Sequence, residues 1–216
     1  IENYDNNYSN IIWISDIDSG ISEAINFGLK KCSGDIIMQM GHDDILQPKV
    51  FSNIDHYSKI IDFDSIYFDS YNYFVKEHRC VLRRCPDIKI NRMNLLKYGS
   101  IVGGQCIYFK RHVFDKYKFN IDNKYSMDYE FLLNISNEGY LFLHIPLIGT
   151  ISFCDSNIST TVGPLSLEGI QVAVKFSNKV FTYDIDDSLN NGWNYKPMFF
   201  NGIDKKIKYN SELYFC

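Results

Sequence analysis

The stretch from Gly20 to Asp44 constrains the fold more than any other part of the chain. Ile21, Ala24, Ile25, Gly28, Leu29 and Cys32 recur with the 3.6-residue period of a helix, all on one face. Asp18 and Ser19 are N-cap candidates, and Glu23 suits the first turn. Lys30 and Lys31 suit the last turn, and Ser33-Gly34 ends the helix. Asp35–Met40 then reads as a short, nearly continuous apolar strand, the pattern of burial on both faces in a parallel sheet. It stops at Gly41-His42-Asp43-Asp44. Helix, glycine turn, buried strand and acidic loop make half of a βαβ crossover and place the chain in the α/β class.

The remaining periodicities extend this frame. Helices are expected over Pro48–Ile61, Asn91–Tyr98, Ser126–Asn137 and Pro164–Lys179, with a helical turn from Arg111 to Tyr117. Ser65–Val75 and Ile101–Phe109 read as strands, and Cys80–Arg84 is a candidate to pair with the first. Tyr140–Ile148 reads as a strand whose Pro146 suggests a sheet edge. Beyond Phe181 the signals weaken. Trp193-Asn194-Tyr195 with Phe199-Phe200 reads as a packed flap or an exposed aromatic patch.

Composition removes several classes. With 216 residues and 45% hydrophobic content the chain can bury the core of one ordinary domain, which excludes general disorder. A net charge of −4 argues against a nucleic-acid partner. No apolar run approaches the ~20 residues of a transmembrane helix, and no leader is visible, so a cytoplasmic protein is expected, with peripheral attachment at the inner face of the membrane as a variant. The six cysteines show no paired spacing and read as reduced thiols.

Asp43 and Asp44 stand where a strand ends, the place at which open α/β sheets bind ligands. Adjacent carboxylates there suit Mg²⁺ or Mn²⁺, although an Asp-Asp pair is also common in solvated turns. The surrounding residues resemble the family 2 glycosyltransferases, inverting enzymes with the nucleotide-sugar-binding GT-A fold. The matching pieces are Asp18-Ser19-Gly20-Ile21-Ser22, Ala24-Ile25-Asn26, Gly28, Ser33-Gly34-Asp35 and Asp43-Asp44. His42 and Asp16 depart from the family pattern. Further on, Gln105–Phe114, Met127-Asp128-Tyr129-Glu130, Glu138-Gly139-Tyr140 and Ile158-Ser159 resemble later family segments in the same order.

The resemblance implies a role for each matching position. Asp44 would ligate the metal, and Asp43 would face the ribose and the metal shell. Asp18, Gly20 and Asn26 would lie beside the donor nucleotide. Plain helix capping by Asp18 and helix packing by Asn26 are the competing readings. Asp128 would be the general base that takes the acceptor proton, against a first-turn acid that only stabilises its helix. Gln105 and Glu130 would contact the acceptor, against a strand-end amide and a flanking residue. The implied partners are a nucleotide-sugar donor, with a UDP-sugar favoured, and a saccharide or lipid-linked saccharide acceptor.

The family's opening strands have no counterpart before Ile1, so a partial GT-A domain over residues 1–160 is expected, with a helical and aromatic extension over 161–216. The chain begins at Ile1 rather than Met, which reads as a piece of a longer enzyme. The competing reading is a non-catalytic remnant that binds sugar or a partner subunit.

Overall fold

A computed structural model describes residues 11–12, 14–154 and 167–177. The expected extension beyond residue 177, its aromatic patch, and the Ile158-Ser159 piece lie outside the described residues. The elements in order are α1 (Ile21–Lys31), β1 (Ile36–Ile37), β2 (Ile45–Leu46), α2 (Val50–Ser58), β3 (Ser65–Phe74), β4 (Arg79–Arg83), α3 (Arg92–Tyr98), β5 (Ile107–Lys110), α4 (Arg111–Lys116), α5 (Met127–Ile135), β6 (Phe142–Phe153) and α6 (Leu167–Ser177). The architecture is α/β, a mixed sheet flanked by helices, as the alternation of patterns implied.

The sheet runs β1-β5-β3-β6-β2, with β4 also paired to β3. Among the described residues only the β3–β6 pairing is parallel. Along the described chain β3 is the spine, because it pairs with β4, β5 and β6 and sends Ile66 and Phe68 into one apolar core and Tyr67 into the other. On one side Ile66, Phe68, Tyr108 and Ile145 pack on Val50 and Ile54 of α2. On the other, Tyr67, Ile107 and Phe109 pack on Leu95 of α3 and Phe131 of α5, with Val172 and Ala173 of α6 in the same cluster. Phe119 stacks on Phe131 at 4.6 Å between ring centroids, and fully burying one such ring contributes about 1.5–3 kcal/mol.

The sheet forks along β3. β5 pairs with β3 over Ser65–Tyr67, while β4 pairs with the same edge of β3 over Ser70–Phe74. Neither reaches Phe68 or Asp69, so the edge divides there. On the opposite edge β6 slips register at the same level, pairing Ile145 with Phe68 and Ile148 with Asp69. Pro146 falls inside that irregularity. The edge expected there is local: among the described residues Pro146 has β3 on one side and no paired strand on the other, whereas further along, at Thr150 and Ile151, the same strand is covered by β2. A bulge leaves a residue outside the ladder, which accommodates the missing proline N–H.

Two expectations change. The apolar run after α1 forms only the two-residue β1, and it pairs antiparallel with β5 rather than in a parallel ladder. Ile101–Phe109 is not one strand. Gly103-Gly104 turns into a short 3₁₀ helix over Gly104–Cys106, and the strand starts at Ile107. Both differences have one cause: local apolarity marks burial, whereas pairing direction and strand start depend on distant partners.

Candidate active site

The first wall of the site is the entrance to α1. Gly20 holds φ 139°, a left-handed conformation open to glycine. Its N–H donates to Asp18 Oδ1 at 2.9 Å, and its carbonyl accepts the first helical N–H groups, from Glu23 and Ala24. Ser19 N–H donates to Glu23 Oε2 at 2.7 Å. Lys124 Nζ crosses from the loop before α5 and donates to Ser19 O at 2.7 Å. Asn26 lies one turn and a half further along. Its amide donates to Phe119 O at 2.8 Å and accepts from Phe119 N–H at 3.0 Å. That pair of bonds ties α1 to the strap leading into α5.

The second wall is the acidic turn. Asp44 Oδ2 accepts from Gly41 N–H at 3.0 Å, and Asp44 N–H donates to Gly41 O at 3.4 Å. A Cβ at Gly41 would lie 2.8 Å from Asp44 Oδ2 and 3.0 Å from Asp43 Oδ1. The two carboxylates therefore converge on a space that only a hydrogen leaves open. This hard-oxygen pair fits a Mg²⁺- or Mn²⁺-class cation. His42 is solvent-exposed, with Nδ1 3.9 Å from Asp43.

Asp128 forms the third wall, in the first turn of α5. Gln39 Nε2 donates to its Oδ1 at 2.5 Å. A Cβ at Gly104 would lie 2.3 Å from Asp128 Oδ2 and 2.5 Å from Gln39 Nε2, so glycine is required for this close approach. Gln39, Gly104 and Asp128 share a small pocket with Ile107, Phe109, Phe119 and Leu132. Burial raises the carboxyl above its ordinary range, opposed by the Gln39 hydrogen bond and the charge of Arg83. Gln39 Oε1 is buried with no partner among the described residues. In the Gly104–Cys106 turn, Asp128 rests on Gly104.

Gln105 sits in that same turn. Its Nε2 donates to Ser152 Oγ at 2.6 Å, and its carbonyl accepts from Thr150 Oγ1 at 3.0 Å. Glu130 is buried at 3% exposure. It accepts from Asn120 and Asn123 through Oε2, and from Lys175 of α6 through Oε1. Burial alone would raise its carboxyl, but these three donors bring it below the ordinary range.

Sequence reading singled out the acids but missed Gln39, Arg83, Lys124 and Glu168. Gln39 sits inside an apolar run and Arg83 in a strand of mixed character, so neither carries a local signal. Arg83 Nη2 donates to Ser100 O at 3.4 Å, and its Nη1 lies where a Cβ on Gly103 would approach within 3.0 Å. Glu168 of α6 accepts from the backbone N–H groups of Lys124, Tyr125 and Ser126, which fixes the segment entering α5.

Comparison with known proteins places this arrangement. No curated protein sequence matches the chain. Among solved structures, S. aureus TarS residues 1–349 in complex with UDP-GlcNAc aligns with a TM-score of 0.61 at 10% identity, covering 81% of this chain and 52% of that one. S. aureus TarS 1–349 in a separate structure gives 0.54 at 11% identity, over 70% and 46%. The longer S. aureus TarS structure gives 0.55 at 12%, over 85% and 35%. The chain thus spans about half the length of the 1–349 structures or less, and at this identity the likeness establishes the fold, a partial GT-A sheet. The sequence model of glycosyl transferase family 2 matches residues 1–118, which is more than half of the chain, and the chain belongs to that family.

Proposed function

We propose that this chain forms the donor-cation site and the base site of an inverting glycosyltransferase. The enzyme moves a sugar from a UDP-sugar to a hydroxyl of a saccharide or lipid-linked saccharide. The observation that carries this reading is Asp128, a carboxylate seated against Gly104 and held by Gln39, with burial lifting it toward proton affinity. A general base needs this: a fixed carboxylate whose proton affinity lies nearer the working pH than that of a solvated one. The buried Gln39 Oε1 adds an acceptor beside it that an acceptor hydroxyl would satisfy.

Asp44 and Asp43 would hold the cation, Mg²⁺ or Mn²⁺, whose chemistry is to offset charge on a departing diphosphate. The chain's own groups do the rest. The Gly20 turn presents the start of α1, with its positive dipole end, to the donor side. Asp18 shapes that turn through its bond to Gly20, and Asn26 holds α1 against the strap that leads to Asp128. Gln105 lines the acceptor side from the Gly104–Cys106 turn. Glu130 serves the same side through α5, by fixing the helix that carries Asp128. Attack by the acceptor oxygen opposite the diphosphate, with its proton passing to an Asp128 oxygen, inverts the anomeric centre. Among the described residues no helix is long and apolar enough to cross a membrane, and a cytoplasmic enzyme working at the inner membrane face is the setting we propose.

Melting of the protein with and without UDP-GlcNAc plus Mn²⁺ tests the donor half. A ligand at 100 times its Kd adds about 2.7 kcal/mol, so a clear upward shift that disappears in EDTA is expected. No shift at saturating donor and cation would leave a non-catalytic remnant as the better account.

A further inference from the structure

Asp69, Cys85 and His144 come from three separate segments: the middle of β3, the chain just past β4, and β6. Their ligating atoms nevertheless all lie within 4.8 Å of one another. They meet where the sheet forks. There β3 has neither β4 nor β5 beside Asp69, and the β6 bulge follows His144 by one residue. We propose that this cluster is a structural site for a thiophilic divalent cation of the Zn²⁺ class, separate from the Asp43–Asp44 pair.

The donor set carries the argument. One thiolate, one imidazole and one carboxylate are the three ligand types zinc accepts, and a thiolate is foreign to Mg²⁺ and Ca²⁺ sites. With bonds of about 2.0–2.3 Å, a tetrahedral zinc separates neighbouring ligand atoms by roughly 3.3–3.8 Å. His144 Nε2 stands 2.9 Å from Asp69 Oδ1, so this pair opens by under an ångström to admit the ion. The groups around the ligands are already ordered. The His144 ring stacks on Tyr67 at 4.9 Å with an 11° interplanar angle, which fixes its orientation. Cys85 N–H donates to Asp69 Oδ1 at 2.9 Å, which holds the carboxylate; the Cys85 thiol donates to Phe68 O at 3.4 Å, a bond that gives way when the thiolate takes the ion. Such support is what holds metal ligands in register. Asp69 and Cys85 are buried, and His144 keeps 22% of its side chain exposed, which leaves a route for the ion and a water as fourth ligand.

The site would pin the exit of β4 to β3 and β6. That exit carries Arg83, whose charge acts on Asp128, so the ion would stiffen the wall behind the base without touching substrate.

Co²⁺ titration of the metal-free full chain tests the proposal. The expected result is one equivalent bound, with an intense thiolate-to-cobalt charge-transfer band and the visible bands of a tetrahedral ion, both erased by one equivalent of Zn²⁺. Cys85→Ala and His144→Gln should each lose or strongly weaken the spectrum, whereas Cys32→Ser and Asp44→Asn should keep it. The wild-type spectrum decides even where a variant fails to fold: absence of the charge-transfer band overturns the site. A band that persists in Cys85→Ala, or vanishes in Cys32→Ser, overturns it as well, because the thiolate would then lie elsewhere.

Discussion

The acidic turn and the Asp128 pocket, which we propose serve one site, are built in opposite ways. Gly41–Asp44 is a local structure. The Asp44 carboxylate is ordered by Gly41 N–H within the same four residues, and both acids are partly exposed. Asp128 is ordered by residues far away in sequence, Gln39 and Gly104, and it is packed against the aromatic core. The contrast follows from the chemistry each half performs in our account. A cation site must exchange ions and hydrated diphosphate, so solvated oxygens suit it. A base must hold a raised proton affinity, which only burial and close packing supply. Mutations in the turn should therefore change affinity for metal and donor with little effect on folding. Mutations around the pocket should change catalysis, and some should change stability.

The largest effect is expected from Asp44→Asn in the full-length protein, which should abolish metal-dependent turnover and weaken donor binding in Mn²⁺ while leaving the melting temperature of the apo protein near wild type. A large loss of apo stability would erase the contrast, since the turn would then be structural. Next, Asp128→Asn should lower kcat about 10²–10⁴-fold, the usual contribution of a general base, with donor affinity unchanged. A matching loss of donor affinity would place Asp128 with the cation instead. Gly104→Ala should follow, costing on the order of 10²-fold in kcat, because the added methyl occupies the space of the Asp128 carboxylate. Unchanged kinetics there would show that the close approach does not matter.

The smallest effect concerns Glu130. With its carboxyl held below the ordinary range, Glu130 contributes stability that is present above its unfolded pKa and is lost as pH falls toward the depressed folded value. Glu130→Gln should therefore destabilise by about 1–3 kcal/mol at neutral pH and flatten the acid side of the stability curve. A loss of kcat at unchanged stability would instead assign Glu130 to the acceptor.

How much of this was readable beforehand follows the same division. The α1 period and its glycine turn are local patterns and the helix forms over Ile21–Lys31, but neither Asp18 nor Ser19 caps it through a side chain, since Gly20 takes the N-cap, and Ile21, Ala24 and Cys32 of the expected apolar face are exposed. The family match ends at residue 118, and the Asp128 segment beyond it was reached through the resemblance of Met127-Asp128-Tyr129-Glu130 itself and its order among the neighbouring motifs. Gln39 was invisible because its role depends on a partner 89 residues away, and periodicity says nothing of such a partner. The β6 bulge escaped for a related reason. Pro146 states that a ladder bond is missing, which fits both the locally unpaired side of β6 and the bulge beside β3, and the sequence alone does not separate the two.

The dependence of kcat on pH, for wild type and Asp128→Asn with UDP-GlcNAc, Mn²⁺ and an acceptor, tests the central claim most directly. Asp128 must be ionised to accept a proton, and burial raises its pKa, so the wild-type rate should climb with pH through an inflection above the ordinary aspartate range. The variant should be slow throughout and lack that inflection. A wild-type rate already flat from the ordinary carboxylate range upward, or a variant that keeps the same inflection, would contradict the assignment of Asp128 as the base.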